Sequence, residues 1–410
     1  MKKYVYRLLV SRSATYWMWE PSRANTIRSL LFIILALPVA AALFPFGVFR
    51  KLCGRRWEVY VLDVEGEFAF LVDHLERVRC QTQFNTARCF LLARCSFKHK
   101  GFTHLYGSQS GLVVLWSCDW SALVAQVLLL QPKVVMRKET IANYNYQSFR
   151  IPDHALAPSE KLMHLKRDIL RATGSLRPKY VLMAVYVSTS REIEDPAYAS
   201  KNAWRESVGS ELTLGIDFLR EQGLDVLLVG AHDKGKAHIP RILPRLTEFA
   251  KIGGLEEVAL ASGCEYLWSE NVGACWLQLP FRGQVLETNS QPFWLRHYNY
   301  PETVINSFLC VPLRYQVKSD GHLLTFRELF EIADHGAAIG CGELSLIRNS
   351  PLEIVEAHHE MLLRRSGAWV EDSNTQNLVE QYRRSFANDP IKVGRPIAST
   401  FLRRHPYLLD

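Results

Sequence analysis

Residues 260–289 read LASGCEYLWSENVGACWLQLPFRGQVLETN, and this stretch decides the expected fold. Its apolar runs EYLW and QVLET predict two short buried strands, and ACWLQL between them predicts a short helix that ends near Pro280. A strand, a loop, a helix and a second strand in this order are typical of a parallel sheet. The loop SENVG has small and hydrogen-bonding residues before a helix N-terminus, so it either holds a phosphate or only connects the two elements.

The residues that precede this stretch repeat the pattern. YVLMAVYV at 180–187 predicts a buried strand, residues 204–222 predict a helix, and DVLLVG at 225–230 predicts the next strand. The helix has one apolar face, formed by Val208, Leu212, Ile216 and Leu219. Because parallel strands end at the same edge of a sheet, the residues that follow them are candidate ligand contacts. These candidates are Ser188, Ser190, Arg191, Gly230, His232, Asp233, Ser269, Asn271, Gly273, Thr288 and Asn289.

The N-terminal half has the same alternation of strands and helices. WEVYVLD at 57–63, GLVVLWS at 111–117 and KVVMRK at 133–138 predict strands, with an acidic turn after the first and a helix before the last. The sequence therefore predicts an α/β protein with more than one domain. We expect an anchoring segment at 1–56, an N-terminal domain at 57–150, a linker at 151–179, a second domain at 180–365 and a helical tail at 366–410 that packs back on the body.

The charge of the chain is concentrated at its N-terminus. Residues 1–56 contain ten Lys or Arg and one acid, so they carry +9, and the remaining residues carry −1. A nucleic-acid groove would place its charge on the folded body, so we expect no nucleic-acid partner. Residues 30–49 are uncharged and long enough to cross a bilayer, although Pro38 and Pro45 would kink the helix. The basic flanks favour a membrane-associated helix within residues 26–56, as a span or as a re-entrant or interfacial anchor, over a core helix or a signal peptide.

The cysteines and the absence of metal-binding motifs limit the chemistry that the sequence predicts. Nine cysteines without paired spacing argue against a disulfide framework and predict a body in reducing cytosol. No C-x-x-C and no D-x-D string occurs, so we expect neither a metal nor another cofactor. TFRE and SPLE predict helix N-termini with capping boxes, and we expect His358 and His359, inside the second of these helices, at the surface.

Residues 180–410 resemble glycosyltransferases encoded in bacterial surface-polysaccharide gene clusters, whose C-terminal half is a nucleotide-sugar domain of the GT-B type. LWSENVGACWLQLPFRGQVLETN matches that family's strand, Gly-Thr-Ser-Ser-Gly loop, helix and Thr-Asn strand end. LCVPLRYQVKSDGHLLTFRELFE, IRNSPLEIVEAHHEML and GRPIASTFLRRHPYLL continue the resemblance. It implies two Rossmann-like domains in a GT-B arrangement, a nucleotide-sugar donor and catalysis without a metal.

The chain departs from the family's pattern at three places. The His and Arg that the family has near the end of the 180–187 strand are missing, and Arg191 is the nearest guanidinium. Lys201 and Asn202 occupy the position of the family's Arg-Asn pair. The lysine keeps the positive charge of the arginine but cannot form its two parallel hydrogen bonds to an anion. Glu270 stands for the central Ser of the loop, where its carboxylate would repel a diphosphate unless the side chain points away and the loop acts through its backbone alone.

The resemblance implies a membrane-associated enzyme of the cytoplasmic face of the inner membrane. It transfers a sugar from a nucleotide sugar to a lipid-linked or growing surface-polysaccharide acceptor. Glu67 and Asp63, at the end of the first strand, are the candidate bases, and a solvated acidic turn is the alternative for each of them. Arg191 is a candidate for stabilising the leaving diphosphate. Lys201 and Asn202 join the edge residues as expected donor contacts. The alternative is a catalytically degenerate scaffold that holds other polysaccharide-assembly proteins.

Overall fold

The chain divides into two compact units, Met1–Ile151 and Pro152–Asp410, in a computed structural model of all 410 residues. In the first unit the structure describes residues 57–63, 72, 75–76, 88–94, 105–106, 113–116 and 132–137. In the second unit it describes residues 154–174, 177, 179–185, 207–229, 254–270, 273–291, 294–296, 302–332, 339, 342–385 and 392–409.

The first unit contains a four-stranded parallel sheet. Its strands are β1 (Trp57–Asp63), β2 (Arg88–Arg94), β3 (Val113–Trp116) and β4 (Pro132–Arg137), in the order β3-β2-β1-β4. Strands β2 and β3 follow β1 on one side of it, and β4 then pairs with β1 on its other side. The topological switch point therefore lies between β1 and β4. The predicted strands β1, β3 and β4 are confirmed, and β2 was not predicted.

The second unit contains a five-stranded parallel sheet in the order β10-β8-β7-β5-β6. Its strands are β5 (Tyr180–Ala184), β6 (Asp225–Val229), β7 (Leu267–Glu270), β8 (Val285–Ser290) and β10 (Phe308–Pro312). Counted from β5, this is the doubly wound order 2-1-3-4-5, whose switch point lies between β5 and β7. The parallel sheets of both units and the helices of the second unit confirm the α/β prediction.

Helices and short antiparallel pairs complete the second unit. The helices are α1 (Glu160–Ala172), α2 (Gly209–Glu221), α3 (Leu255–Ala261), α4 (Glu302–Ile305), α5 (Phe326–Glu331), α6 (Pro351–Ser366), α7 (Ser373–Arg384) and α8 (Ser399–Arg404), with 3₁₀ helices at Gly273–Phe281 and Pro406–Leu409. Strand β11 (Arg314–Val317) pairs with β12 (Leu344–Ile347), and β9 (Trp294–Arg296) pairs with β13 (Lys392–Gly394).

Helix α6 lies against α2 and the sheet, and a glycine lies at this contact. A Cβ atom at Gly215 would lie 3.0 Å from Ile354 Cγ2 and 3.2 Å from both His358 and Trp268. The absence of a side chain at residue 215 therefore favours the close approach of the two helices and β7. The tail belongs to the same core, since Tyr382 and Phe401 are buried in it.

Both predicted capping boxes are confirmed. The hydroxyl of Thr325 accepts from the backbone N–H of Glu328, and the hydroxyl of Ser350 accepts from that of Glu353. In each case the glutamate carboxylate accepts a hydrogen bond from the capping residue's own backbone N–H. Pro351 occupies the first turn of α6. Backbone N–H groups in this turn have no acceptor within the helix, so a proline without an N–H costs no helical hydrogen bond there.

Several predicted boundaries are wrong by a few residues. The strand predicted at EYLW ends at Glu270, because Ser269 pairs with Ala184 and Glu270 pairs with Thr288, so the ladder continues past Trp268. The helix predicted at 204–222 begins only at Gly209. The short helix after the loop is a 3₁₀ helix that includes Pro280.

No helix among the described residues is long and apolar enough to cross a membrane. The apolar run at 30–49 and the whole expected anchor at 26–56 lie outside the described residues.

Candidate functional site

The candidate site lies at the carboxyl edge of the second sheet, beside the switch point between β5 and β7. Strand β7 ends there at Glu270, and the 3₁₀ helix begins three residues later at Gly273. The neighbouring strand β8 reaches the same edge with Thr288 and Asn289. The structure therefore brings four predicted donor residues, Ser269, Gly273, Thr288 and Asn289, to one edge of one sheet.

Glu270 is held inside the protein by hydrogen bonds from two directions. Its side chain is 1% exposed, its Oε1 accepts from Nη2 of Arg348 at 2.9 Å, and the same oxygen accepts from Nδ2 of Asn289. The expectation that Glu270 is a loop residue is wrong. It is the last residue of β7, and a guanidinium neutralises the oxygen that Asn289 also binds.

Arg348 links Glu270 to a second carboxylate. Its Nε donates to Oε2 of Glu211, near the start of α2, at 2.6 Å. One guanidinium therefore bridges a strand end and a helix N-terminal turn. With two carboxylates and one cation, the group carries a net negative charge when both acids are ionised.

Burial is the main influence on the ionisation of Glu270. It raises the pKa of the Glu270 carboxyl above its usual value, and the nearby carboxylate of Glu211 acts in the same direction. The guanidinium of Arg348 and the hydrogen bonds from the side chains of Ser207 and Asn289 oppose this shift. The second carboxylate oxygen, Oε2, is buried and forms no hydrogen bond with the residues that the structure describes.

Asn289 fixes the end of β8 by pairing with Asn349. The backbone N–H of Asn289 donates to Oδ1 of Asn349 at 2.5 Å, and the backbone N–H of Asn349 donates to Oδ1 of Asn289 at 2.7 Å. Asn289 has φ of 49°, in the left-handed region that asparagine tolerates better than most residues. Nδ2 of Asn349 also donates to the carbonyl of Pro312 at the end of β10. The pair thus ties β8, β10 and the segment before α6 together.

Ser269 and Thr288 lie behind this edge. Both are fully buried, and Oγ1 of Thr288 accepts from Nε1 of Trp268 at 2.9 Å. Their position in the sheet supports the strand ends that carry Glu270 and Asn289.

The opposite face of β8 carries a second buried ion pair. Nη1 of Arg395 donates to Oε2 of Glu287, and its Nη2 donates to Oγ of Ser290 at 2.8 Å. Each side chain of the ion pair is 5% exposed. Because side chains alternate along a strand, Glu287 lies on the face opposite to Thr288, the cross-strand neighbour of Glu270. This pair fastens the C-terminal segment to the sheet.

Three residues of the edge were missed by the sequence analysis, namely Glu211, Arg348 and Asn349. Arg348 and Asn349 belong to IRNSPLE, in which the sequence predicts a helix N-terminus with a capping box and no site residue. The signal was the placement of an Arg and an Asn directly after a strand and before a helix cap, a position that faces the edge of a sheet in an α/β fold.

The remaining predicted site residues stay predictions. Asp63 is the last residue of β1, in register with Arg94 of β2 and Arg137 of β4. The others lie outside the described residues: Glu67, Ser188, Ser190, Arg191, Lys201, Asn202, Gly230, His232, Asp233 and Asn271. Within the described ranges, no group of three or more His, Cys, Asp or Glu side chains is placed to hold a metal ion.

No protein-family model and no curated protein matches the chain. Among solved structures, E. coli ADP-heptose lipopolysaccharide heptosyltransferase II is 13% identical, with a TM-score of 0.42, and the match covers 75% of this chain and 99% of that one. A family 9 glycosyl transferase from Veillonella parvula is 7% identical, with a TM-score of 0.42 and coverage of 75% and 97%. The dodecameric iron-containing heptosyltransferase TibC, in complex with ADP-D-beta-D-heptose, is 13% identical, with a TM-score of 0.40 and coverage of 76% and 79%. Similarity at this level does not establish a shared activity.

Proposed function

We propose that the chain is a membrane-associated glycosyltransferase that uses a nucleotide sugar as donor, with its two units in a GT-B arrangement. The acceptor is a lipid-linked or growing surface polysaccharide, and residues 26–56 attach the protein to the cytoplasmic face of the inner membrane. The proposal starts from the resemblance of residues 180–410 to polysaccharide glycosyltransferases.

The observation that carries the proposal is the position of β7. Its end at Glu270 adjoins the switch point, and a 3₁₀ helix begins at Gly273. Ligands of doubly wound sheets bind outside the carboxyl ends of the strands at this point. We expect the SENVG loop to hold the diphosphate of a donor, because its residues are small or hydrogen bonding, it precedes a helix N-terminus, and the glycine at position 273 has no side chain to block an anion.

The roles of the other residues follow from the chemistry of glycosyl transfer without a metal. Glu67 or Asp63 takes a proton from the acceptor, and Arg191 with Lys201 stabilises the charge of the leaving diphosphate. Asn202, Ser188 and Ser190, which follow β5 in the sequence, supply further hydrogen bonds to the donor. Gly230, His232 and Asp233, which follow β6 in the sequence, do the same, and so does Asn271, which follows β7.

A second candidate function is a scaffold for other polysaccharide-assembly proteins, without transfer activity. A specific observation favours it: Thr288, Asn289 and Glu270 are all buried and hydrogen bonded to other residues of the chain. A site whose polar groups are already paired within the protein has fewer groups to offer a donor.

A binding screen separates the two functions. Full-length protein in detergent is titrated with UDP, GDP, ADP and CDP and with their common nucleotide sugars, with thermal unfolding and calorimetry as readouts. A glycosyltransferase is stabilised by at least one nucleotide, because a ligand that binds only the folded state raises its stability. Absence of any shift across the panel would rule out the transferase and leave the scaffold.

Gly273→Val tests the phosphate contact directly. The valine side chain blocks the approach of a diphosphate to the loop amides, so we expect binding of the nucleotide found in the screen to be abolished. Ala274→Val is the matched control, because it adds bulk one residue further along the same 3₁₀ helix. If Gly273→Val binds the nucleotide as the wild type does, or fails to fold, the loop is only a structural turn.

A further inference from the structure

We propose that the last row of the first sheet, formed by Arg94, Asp63 and Arg137, binds an anionic group, a phosphate or a carboxylate, of the acceptor. This inference rests on the proposed function, because it assigns the anion to the acceptor of a glycosyl transfer. It narrows the chemical class of that acceptor to molecules that carry a negative charge near the hydroxyl group that reacts.

The register of three neighbouring parallel strands defines the row. Asp63 is the last residue of β1, and on one side it pairs with Arg94, the last residue of β2. On the other side it pairs with Arg137, the last residue of β4. Residues in register on neighbouring strands lie on the same face of a sheet. The acidic residue therefore stands between two arginines in one row.

The character of this face changes at its carboxyl end. Two residues earlier on the same face, the corresponding row consists of Leu92, Val61 and Val135. Apolar rows of parallel sheets are ordinarily covered by helices. The change from an apolar row to a charged one therefore falls at the edge of the sheet, which is the edge where open α/β sheets bind ligands.

The row also spans the topological switch point of the first sheet. The switch point lies between β1 and β4, and hence between Asp63 and Arg137. Ligands bind in the crevice outside the strand ends at such a point. Asp63 is one of the two candidate bases of the proposed reaction, so a group bound in this row belongs to the molecule that gives up a proton, which is the acceptor.

The composition of the row favours an anion over a neutral group. Two arginines and one aspartate leave one positive charge in excess, because a single carboxylate balances only one guanidinium. Guanidinium groups present parallel N–H donors that match the oxygens of a phosphate or a carboxylate. The arginines are two strand spacings apart, each about 4.8 Å, and this separation is within the combined length of two arginine side chains around one anion.

The first part of the test varies the ligand and uses full-length wild-type protein in detergent. Calorimetry compares each anionic probe with its neutral twin. Geranyl phosphate and geraniol represent a lipid-linked phosphate, and phenyl glucuronide and phenyl glucoside represent an acidic sugar. We expect at least one anionic probe to bind roughly tenfold more tightly than its twin, or better, because hydrogen bonds to charged groups are the stronger ones. The pair that shows the preference identifies the source of the anion.

The second part of the test varies the protein. Arg94→Gln and Arg137→Gln each remove one guanidinium from the row, so we expect each to reduce the preference for the anionic probe roughly tenfold. Arg88→Gln is the matched control, because Arg88 lies on the same strand and the same face as Arg94, at the opposite edge of the sheet and in register with Trp57. It should keep the preference.

Lysine variants serve where a glutamine variant does not fold. Arg94→Lys and Arg137→Lys keep the positive charge and lose the two parallel hydrogen bonds. We expect each of them to weaken binding of the anionic probe by a smaller factor than glutamine does, and to leave binding of the neutral twin unchanged.

The outcomes distinguish this inference from the proposed function. Equal binding of each anionic probe and its neutral twin overturns the anion site, while the nucleotide screen decides the transferase independently. The anion site is also overturned if the preference exists and the substitutions at Arg94 and Arg137 reduce it no more than Arg88→Gln does. A preference that depends on these two arginines, in a protein that binds no nucleotide, keeps the anion site and overturns its assignment to the acceptor of a transferase.

Discussion

Asn289 and Asn349 each accept a hydrogen bond from the other's backbone N–H, at 2.7 and 2.5 Å, across the carboxyl edge of the second sheet. The two residues are 60 positions apart in the sequence, and both are buried. This reciprocal pairing satisfies two backbone donors that water does not reach. It also holds Asn289 in a left-handed conformation that positions its side chain against Glu270.

The pairing predicts that Asn349→Ala is strongly destabilising. The substitution leaves the N–H of Asn289 and the carbonyl of Pro312 without their side-chain partner in the interior. Each unsatisfied buried group costs about 1–3 kcal/mol, so we expect a loss of roughly 2 kcal/mol or more in the free energy of unfolding. Urea denaturation measures it. Asn374→Ala, in the exposed first turn of α7, is the control and should change the stability by less than about 0.5 kcal/mol.

The ion pair between Arg348 and Glu270 predicts non-additive substitutions. Arg348→Met leaves a buried carboxylate without its cation, which is costlier than removing both charges together. We therefore expect Arg348→Met to be clearly destabilising and Arg348→Met with Glu270→Gln to recover part of the loss. A double-mutant cycle from chemical denaturation gives the coupling energy. The exposed pair Arg384 and Glu380 is the comparison, and its cycle should give a coupling close to zero. Additive effects at the buried pair would mean that Arg348 does not stabilise Glu270.

The strand-and-helix plan of the second unit was predictable because its signals are local. YVLMA and DVLLV are continuous apolar runs bounded by turn residues, and the capping boxes lie within four consecutive residues. Strand β2 escaped prediction because RCFLLAR has an arginine at each end of a short apolar run. Such a pattern fits a short helix as well as it fits a strand.

The arrangement of the edge was not predictable, because it depends on contacts between distant residues. Arg348 reaches Glu270 across 78 positions and Glu211 across 137. The local sequence around Glu270 therefore did not reveal that its side chain is buried and paired with Arg348. His358 shows the same limit: it was expected at the surface with His359, and the expectation is wrong because the face of α6 that carries His358 packs on Tyr266 and Trp268.

The charge distribution predicts that residues 1–56 determine membrane attachment. A chain that begins at Trp57 loses all of the +9 charge and the uncharged run, so we expect it in the soluble fraction after ultracentrifugation. The full-length chain should sediment with vesicles that contain anionic lipid. Replacing the basic residues of the leader by glutamine while keeping its apolar run serves as the control. That variant separates electrostatic attraction from insertion, because only the former is screened by salt. Sedimentation of the shortened chain with membranes would place the attachment in the body.

The burial of His358 predicts that the protein loses stability in acid. Its Nδ1 lies 2.7 Å from the hydroxyl of Tyr266, its ring packs edge-on against Trp268, and burial lowers the pKa of the imidazole to about 3 from its ordinary 6.5. The unfolded chain takes up a proton below pH 6.5 and the folded chain does not, so the free energy of unfolding falls as the pH decreases from about 6.5 to about 3. One proton corresponds to a slope of about 1.4 kcal/mol per pH unit.

His358→Gln isolates this contribution, because glutamine keeps a hydrogen-bonding partner for Tyr266 and does not titrate. The difference in the free energy of unfolding between wild type and variant should shift in favour of the variant as the pH falls from 6.5 towards 4, and stay constant above about pH 7.5. The shift belongs to His358 rather than to Glu353, whose pKa is lowered to about 2, because Glu353 is present in both proteins and cancels in the difference. His359→Gln is the matched control, since His359 is the next residue of α6 and is exposed. A difference between wild type and His358→Gln that does not change with pH would mean that His358 is charged in the folded protein or accessible to protons there.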